Sequence, residues 1–322
     1  MGHAAGHADG GADESEVRHG GTGARGHGGT GAPGHRVLVA VALLLTAFPP
    51  SRLPAQSWRT ITSARQLHGE TDARVHVQYG AGRFRLSPGV AGELYRLDLR
   101  YDEDKFIPLR EYDAATGALN LGVRSREGQG VHVSLGDRRR EGPVPSFDLS
   151  LNPDIPLALE MELGAVEADV ELGGLALRRV RYRTGASATQ LHFSRPNPIA
   201  CEQLEMEAGA AEFRADDLAN ANCARVSFRG GVGEVTLGFG GAWQRSVTAD
   251  VNVGIGSLHL RLPRDVGVAL QLSRFLASFD AAGFEKRGNM YYSANFNSAR
   301  YRLTLDVNAS IGGVDVVWAD DR

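Results

Sequence analysis

The sequence predicts an all-β chain folded as a stacked-rung β-solenoid, with about 22 residues and two short strands per repeat. Three observations lead there: a glycine-centred pattern recurring at near-constant spacing, period-two alternation on both sides of each glycine, and 41 glycines among 322 residues. No convincing amphipathic helix follows residue 56.

In chain order, residues 1–56 stand outside this pattern as a low-complexity leader plus signal peptide. Residues 1–34 are rich in Gly, His and Ala and hold nothing that builds a core. Arg36 then precedes the apolar run "VLVAVALLLTAF" (37–48), closed by Pro49 and Pro50. That run is shorter than the roughly 20 residues a membrane-spanning helix needs. With its basic flank and the following "LPAQS", it reads as a secretory h-region cut near Ala55 or Gln56. No cysteine follows the run, which argues against a lipoprotein anchor. The expectation is a secreted or periplasmic protein without a stable transmembrane anchor after cleavage. His3, His7, His19, His27 and His35 are read as lying upstream of a later translation start near Val17, rather than as a metal site.

Residues 57–145 read as an N-terminal β module. Residues 57–70 are expected to be a linker. Strand signals follow around Gly80, over "LYRLDLRY" (94–101), and near Leu119–Val123 and Val131–Leu135. "GDRRREGPVP" (136–145) is polar, basic and broken by proline, so the module boundary is placed there. Residues 146–322 form the repeated core with a C-terminal cap.

The repeat frame has apolar residues at −5, −3 and −1 from a glycine, then at +4 and +6. Gly164 gives Leu159, Met161 and Leu163, then Ala168 and Val170; Gly209 gives Leu204, Met206 and Ala208, then Phe213 and Ala215. Gly231 and Gly254 fit the same frame, Gly185 matches it more weakly with Thr184 and Thr189 at two positions, Gly80 fits it far upstream, and Gly312 is assigned to it near the C-terminus. Because 0 and +1 both face outward, the chain must turn a corner there, and glycine suits a corner. Stacking such units about 4.8 Å apart places Glu162, Arg183, Glu207 and Arg229 in one outward column. Glu160, Arg181 and Glu205 fall in another. Acid and base alternate from rung to rung, so the carboxylates of "LEMELGAVEADVEL" (159–172) read as a surface charge ladder rather than an acid/base pair. The +3 acids Glu167, Glu212, Glu234 and Asp315 are less well compensated and form the better candidate for weak cation binding. Cys201 and Cys223 each lie eight residues before a corner glycine. One repeat therefore separates them, and a disulfide between adjacent rungs is expected.

These segments resemble the bacterial toast-rack proteins, relatives of LiaF-like cell-wall-stress regulators and of β-solenoid adhesins. "VQYGAGRFRL" (77–86) and "LYRLDLRYD" (94–102) look like that family's N-terminal module. "IPLALEMELGAVEADVELGGLAL" (155–177), "VSFRGGVGEVTLGFGGAW" (226–243) and "VNVGIGSLHLRLPRDVGVAL" (252–270) look like its repeated core. The resemblance implies a flattened β-stack with no established catalytic residues. The regulator relatives carry several membrane helices, whereas this chain has only the short leader run.

Motifs for chemistry are missing. The Gly-x-Gly pairs at 80/82, 231/233 and 254/256 are each followed by another strand, not by the helix a dinucleotide fingerprint needs. Net charge −3 and pI near 6.4 give no reason to expect nucleic acid. His76, His192 and His259 have no partner in the frame, so neither a triad nor a zinc site is supported. Asp102, Glu103 and Asp104 read as a solvated turn, and the run Arg138–Arg140 as loop charge. No catalytic residue, metal or cofactor is expected. One segment stands out as a recognition surface: Lys286, Arg287, Tyr291, Tyr292, Asn295 and Phe296 mix aromatics with polar donors. The same segment also reads as a cap over the stack end, with Trp318 packed beneath it. The expected function is a non-enzymatic envelope scaffold with an unidentified protein or glycan partner, in its finer form a scaffold of the envelope-stress response. The alternative is an adhesin-like or glycan-binding surface module, and behind both stands a polysaccharide-active enzyme working on a solenoid face.

Overall fold

The structure is a computed structural model and describes residues 57–126, 143–280 and 282–319. The leader, the apolar run, the strand signal at Val131–Leu135 and the Arg138–Arg140 run lie outside the described residues.

Among the described residues, fifteen strands join in one sheet. The N-terminal part supplies β1 (Trp58–Gln66), β2 (Ala73–Pro88), β3 (Glu93–Asp102), β4 (Phe106–Asp113), β5 (Ala118–Ser125) and β6 (Ser146–Leu151). The rungs follow as β7 (Leu157–Glu171), β8 (Leu177–His192), β9 (Cys201–Asp216), β10 (Cys223–Gly238) and β11 (Val247–Pro263). The C-terminal part is β12 (Gly267–Phe279), the hairpin β13 (Phe284–Arg287) and β14 (Met290–Ser293), and β15 (Arg302–Ala319).

Each rung is one long strand bent at its corner, and the two short strands of the repeat are its arms. In β7, Leu159, Met161 and Leu163 on the first arm and Val166, Ala168 and Val170 on the second are all buried. The arms face each other closely enough for the Tyr182 hydroxyl to meet Thr189 Oγ1 at 2.8 Å within one strand. The core therefore lies inside the bend. Aromatic rings continue along it, with Tyr182–Phe213 and Phe213–Phe228 centroids 5.9 and 5.0 Å apart. Each fully buried Leu, Val or Phe contributes roughly 1.5–3 kcal/mol.

The ladder between rungs is parallel and in register. Glu162 pairs with Arg183, Arg183 with Glu207, and Glu207 with Arg229. At the corner the rungs approach too closely for a side chain pointing along the stack. A Cβ on Gly164 would stand 2.1 Å from the Gly80 carbonyl oxygen. Two residues further on, Gly256 has φ +134° and a Cβ there would stand 1.8 Å from the Gly233 oxygen.

Connections between rungs stack as well. Asn197 is buried; its Oδ1 accepts the Leu177 N–H, and its Nδ2 donates to the Leu177 and Ala221 carbonyls. Asn220 does the same for Phe193 and Ala242, and Asn222 reaches Ile199. These amides satisfy loop backbone groups that burial would otherwise orphan.

Three expectations need correction. Residues 57–70 are not simply a linker: Trp58–Gln66 is a strand antiparallel to β3. Its pattern was faint because much of an edge strand lies open to solvent. Second, the Gly80 segment is not a remote echo of the repeat. β2 is itself a rung, parallel to β7, and it carries β5 on its first arm and β6 on its second. The N-terminal part and the repeated core thus share one sheet. Third, Gly312 is not a corner glycine. It pairs with Gly256, so Ser310 occupies the corner opposite Gly254. A shift of two leaves period-two alternation unchanged, which hid the misplacement. Rung order also departs from chain order, since β15 inserts between β11 and β12.

Candidate functional site

Three outward features are available for function: two faces of the bend and one end of the stack. On the first-arm face the charge columns form a network. Arg183 reaches Glu162 at 3.2 Å, Glu160 at 3.5 Å and Glu207 at 3.5 Å. Arg181 reaches Glu205 at 2.6 Å and Glu160 at 3.8 Å, and Arg229 extends the network to Glu207 at 3.4 Å. The hydrogen bond that Arg181 donates to the Glu205 carboxylate raises its guanidinium above the ordinary value. All these groups are partly solvated, so each pair stabilises by roughly 0.2–1 kcal/mol. Beside this network the bare corner glycines leave an open trough of about 770 Å³, walled by Glu162, Arg183, Glu207 and Arg229 and closed at one end by Val123.

The second-arm face has a trough of about 540 Å³ over Ala188, lined by Arg85, Glu167, Asp169, Gln190, Glu212 and Arg214. Arg83 lies 3.7 Å from Glu167, and Arg85 lies 3.8 Å from Asp169. Glu171 turns to backbone instead, accepting the N–H groups of Gly173 and Ser194. The four +3 acids do not form one column. β15 sits two residues out of the expected frame, so Asp315 stands opposite His259 rather than in line with Glu234. His259 is therefore not alone: Glu234 lies 3.6 Å from its Nε2 and Asp315 lies 3.4 Å from its Nδ1. His76 also has a partner, Glu162 at 3.6 Å, because β2 is the rung next to β7. Among the described residues, no group of three or more His, Cys, Asp or Glu side chains is arranged to hold a metal ion.

Asp102, Glu103 and Asp104 lie in the turn after β3, where they tie down the N-terminal strand. Asp102 is buried beside Lys105 at 3.3 Å and accepts the Asp104 N–H, while Glu103 pairs with Arg59 at 3.2 Å. Nearby, burial works against the Glu70 charge. The N–H groups of His68 and Glu70, with Arg65 and Tyr112, outweigh it and hold the carboxyl at about 2.

Cys201 and Cys223 face each other across β9 and β10 and are joined by a disulfide, Cα–Cα 4.1 Å.

The six residues of the expected recognition surface lie on or just after the β13–β14 hairpin at the C-terminal end. They do not share one exposed face. Tyr291 packs between Phe279 and Phe284, with centroids 5.2 and 6.4 Å away, and Lys286 lies 5.5 Å over its ring. Asn295 is engaged by Arg264 O and the Ser293 hydroxyl. Phe284 stacks against Trp318 at 4.9 Å, and the indole donates to Ala282 O at 3.0 Å. That leaves Arg287, Tyr292 and Phe296 as the outer cluster: Tyr292 and Phe296 meet at 5.0 Å, with Arg287 5.5 Å over Tyr292.

Among the described residues no helix is long and apolar enough to cross a membrane. A family model described as the N-terminal domain of toast_rack, DUF2154, matches residues 55–202 and again 197–261. No curated protein matches. Among solved structures, a putative cell adhesion protein from Clostridium sporogenes is 16% identical, with a TM-score of 0.43, covering 82% of this chain and 100% of that one. A putative adhesin from Bacteroides fragilis is 9% identical at TM-score 0.34, covering 81% and 99%. One from Parabacteroides merdae is 11% identical at 0.35, covering 80% and 96%.

Proposed function

The chain belongs to the toast-rack family, and we propose that it serves as a non-enzymatic interaction scaffold of the cell envelope. One observation carries this reading. Every carboxylate of the 159–172 stretch is held by an arginine or by backbone amides, so this stretch presents a fixed charge pattern and no free acid–base pair. The signal-like run at 37–48 and the disulfide both support an oxidising compartment outside the cytoplasm. Expression with the native leader, followed by fractionation and mass measurement, tests the location. The expected product begins near Ala55 or Gln56 and lies in the periplasm or medium; an uncut cytoplasmic chain contradicts it. Measurable turnover of a cell-wall polysaccharide would overturn the non-enzymatic part.

In its finer form the scaffold takes part in the envelope-stress response. Deleting the gene in its host should then change sensitivity to wall-active antibiotics, and unchanged sensitivity argues against that role. A second reading, glycan binding, is favoured by the outer cluster of Arg287, Tyr292 and Phe296, where aromatic edges and a guanidinium lie together. A glycan array with the parent protein and Tyr292→Ala separates the readings: a hit lost in the variant supports it, and no hit removes it.

A further inference from the structure

β12 is the last rung of the stack, and its two arms are treated differently. On the first arm, Ala269–Gln271 pairs with β14 of the hairpin. From Leu272 to Phe279 the outer side has no strand partner among the described residues. Bare strand edges are normally blunted by proline, lysine or a covering element, because their free N–H and C=O groups recruit another strand. Here the segment reads "LSRFLASFD" (272–280), with no proline or lysine. At its corner Phe275 and Leu276 are 81% and 64% exposed. Next to them, Val232, Ile255 and Ile311 continue an exposed apolar ridge along the neighbouring rungs, in register with Leu276. Apart from Arg229 and Arg274, the first-arm residues beside this ridge are uncharged. The same outward column continues as Asn252 and Asn308, and ends at Ser273. Apolar residues, a charge-poor rim and an open strand edge together have the composition of an interface centre.

The charges at the two ends of the segment say what fits. Arg274 stands at its start and Asp280 at its end, with none between. Laid antiparallel against an identical segment, each arginine approaches the other copy's aspartate; laid parallel, like meets like. The opposite end of the stack suits a head-to-tail partner poorly, since its edge strands carry Arg59 and Arg65 on β1 and Pro108, Arg110 and Glu111 on β4. We propose that the open half of β12 docks a second copy of this chain, edge to edge and antiparallel, through a self-complementary surface.

This goes beyond the scaffold reading and stands or falls without it. Sedimentation of the full chain over a concentration series tests it. Dimers are expected, weakened at least tenfold by Arg274→Asp alone, by Asp280→Arg alone and by Leu276→Lys. The double swap Arg274→Asp/Asp280→Arg should restore association, which separates a broken interface from a damaged fold. A monomer at every concentration overturns the proposal. So do dimers that all four variants leave untouched, and so does a double swap that remains as weak as the single ones.

Discussion

The two ends of the stack solve the same problem differently. At the N-terminal end both arms of β2 are covered, the first by β5 and β4 and the second by β6, β3 and β1. At the C-terminal end one short hairpin covers the start of the first arm of β12 and leaves the second arm bare. A parallel stack has no internal way to end, so each terminus must either cover its last rung with other strands or leave that rung's edge open. This chain does the first at one end and the second at the other. The difference teaches that its open edge belongs to the design of the molecule and is not a general property of the rungs.

The largest expected effect tests how deeply each end is covered. Phe147 on β6 is fully buried, 5.4 Å from both Tyr79 and Phe84. Phe147→Ala should cost about 3–5 kcal/mol in urea unfolding. Trp318→Ala at the half-covered end should cost about 1–2 kcal/mol, since its ring keeps part of its solvent contact. Equal losses would erase the contrast between the ends.

Replacing Cys201 and Cys223 with serine removes the link between β9 and β10 in the middle of the stack. The expected loss is about 2–4 kcal/mol, absent when parent and variant are compared under reducing conditions.

Glycines at and just past the corner give a sharper pair. Gly256→Ala meets the Gly233 oxygen with φ +134°, whereas a Cβ added to Gly80 would meet nothing within 4 Å. Thermal unfolding should show about 1–3 kcal/mol lost in the first case and under about 0.5 kcal/mol in the second.

A smaller effect belongs to the N-terminal end and to acid. The folded Glu70 carboxyl titrates at about 2, below its unfolded value of 4.5. Its stabilisation is complete above that unfolded value and is lost as pH falls from there towards 2. Glu70→Gln should therefore flatten the stability–pH curve in that window, and a parallel curve would contradict the assignment. Smallest of all, Arg183→Ala should cost about 0.2–1 kcal/mol and less in high salt, because the network is solvated.

Much of this architecture was legible in the sequence, for physical reasons. A corner leaves a mark because it breaks alternation at a glycine, and stacking leaves one because opposite charges recur at the repeat spacing, as in Glu162, Arg183 and Glu207. The order of the last rungs was not legible. Leu270 of β12 and Leu305 of β15 are buried alike in the same core, and pairing rather than pattern decides which strand meets β11. The interior amides were also missed, since Asn in a loop reads as a turn residue. Yet Asn197 and Asn220 lie about one repeat apart, and that spacing was the available signal. One partner of His259, Asp315, was hidden by the same two-residue slip that misplaced Gly312; the other, Glu234, lies diagonally across the expected register of β10 and β11. The recognition surface was only half visible, because the sequence shows which residues are aromatic but not that Tyr291 faces inward onto Phe279.

Hydrogen exchange on the two outermost rung arms tests the central contrast most directly. At low concentration, amides of Arg83–Leu86 on β2 should be protected, while the outward amides between Arg274 and Phe279 on β12 exchange freely. Those β12 amides should gain protection as concentration rises. Strong protection of both arms in dilute monomer would contradict the account, for it would mean that the C-terminal edge is already covered within a single chain.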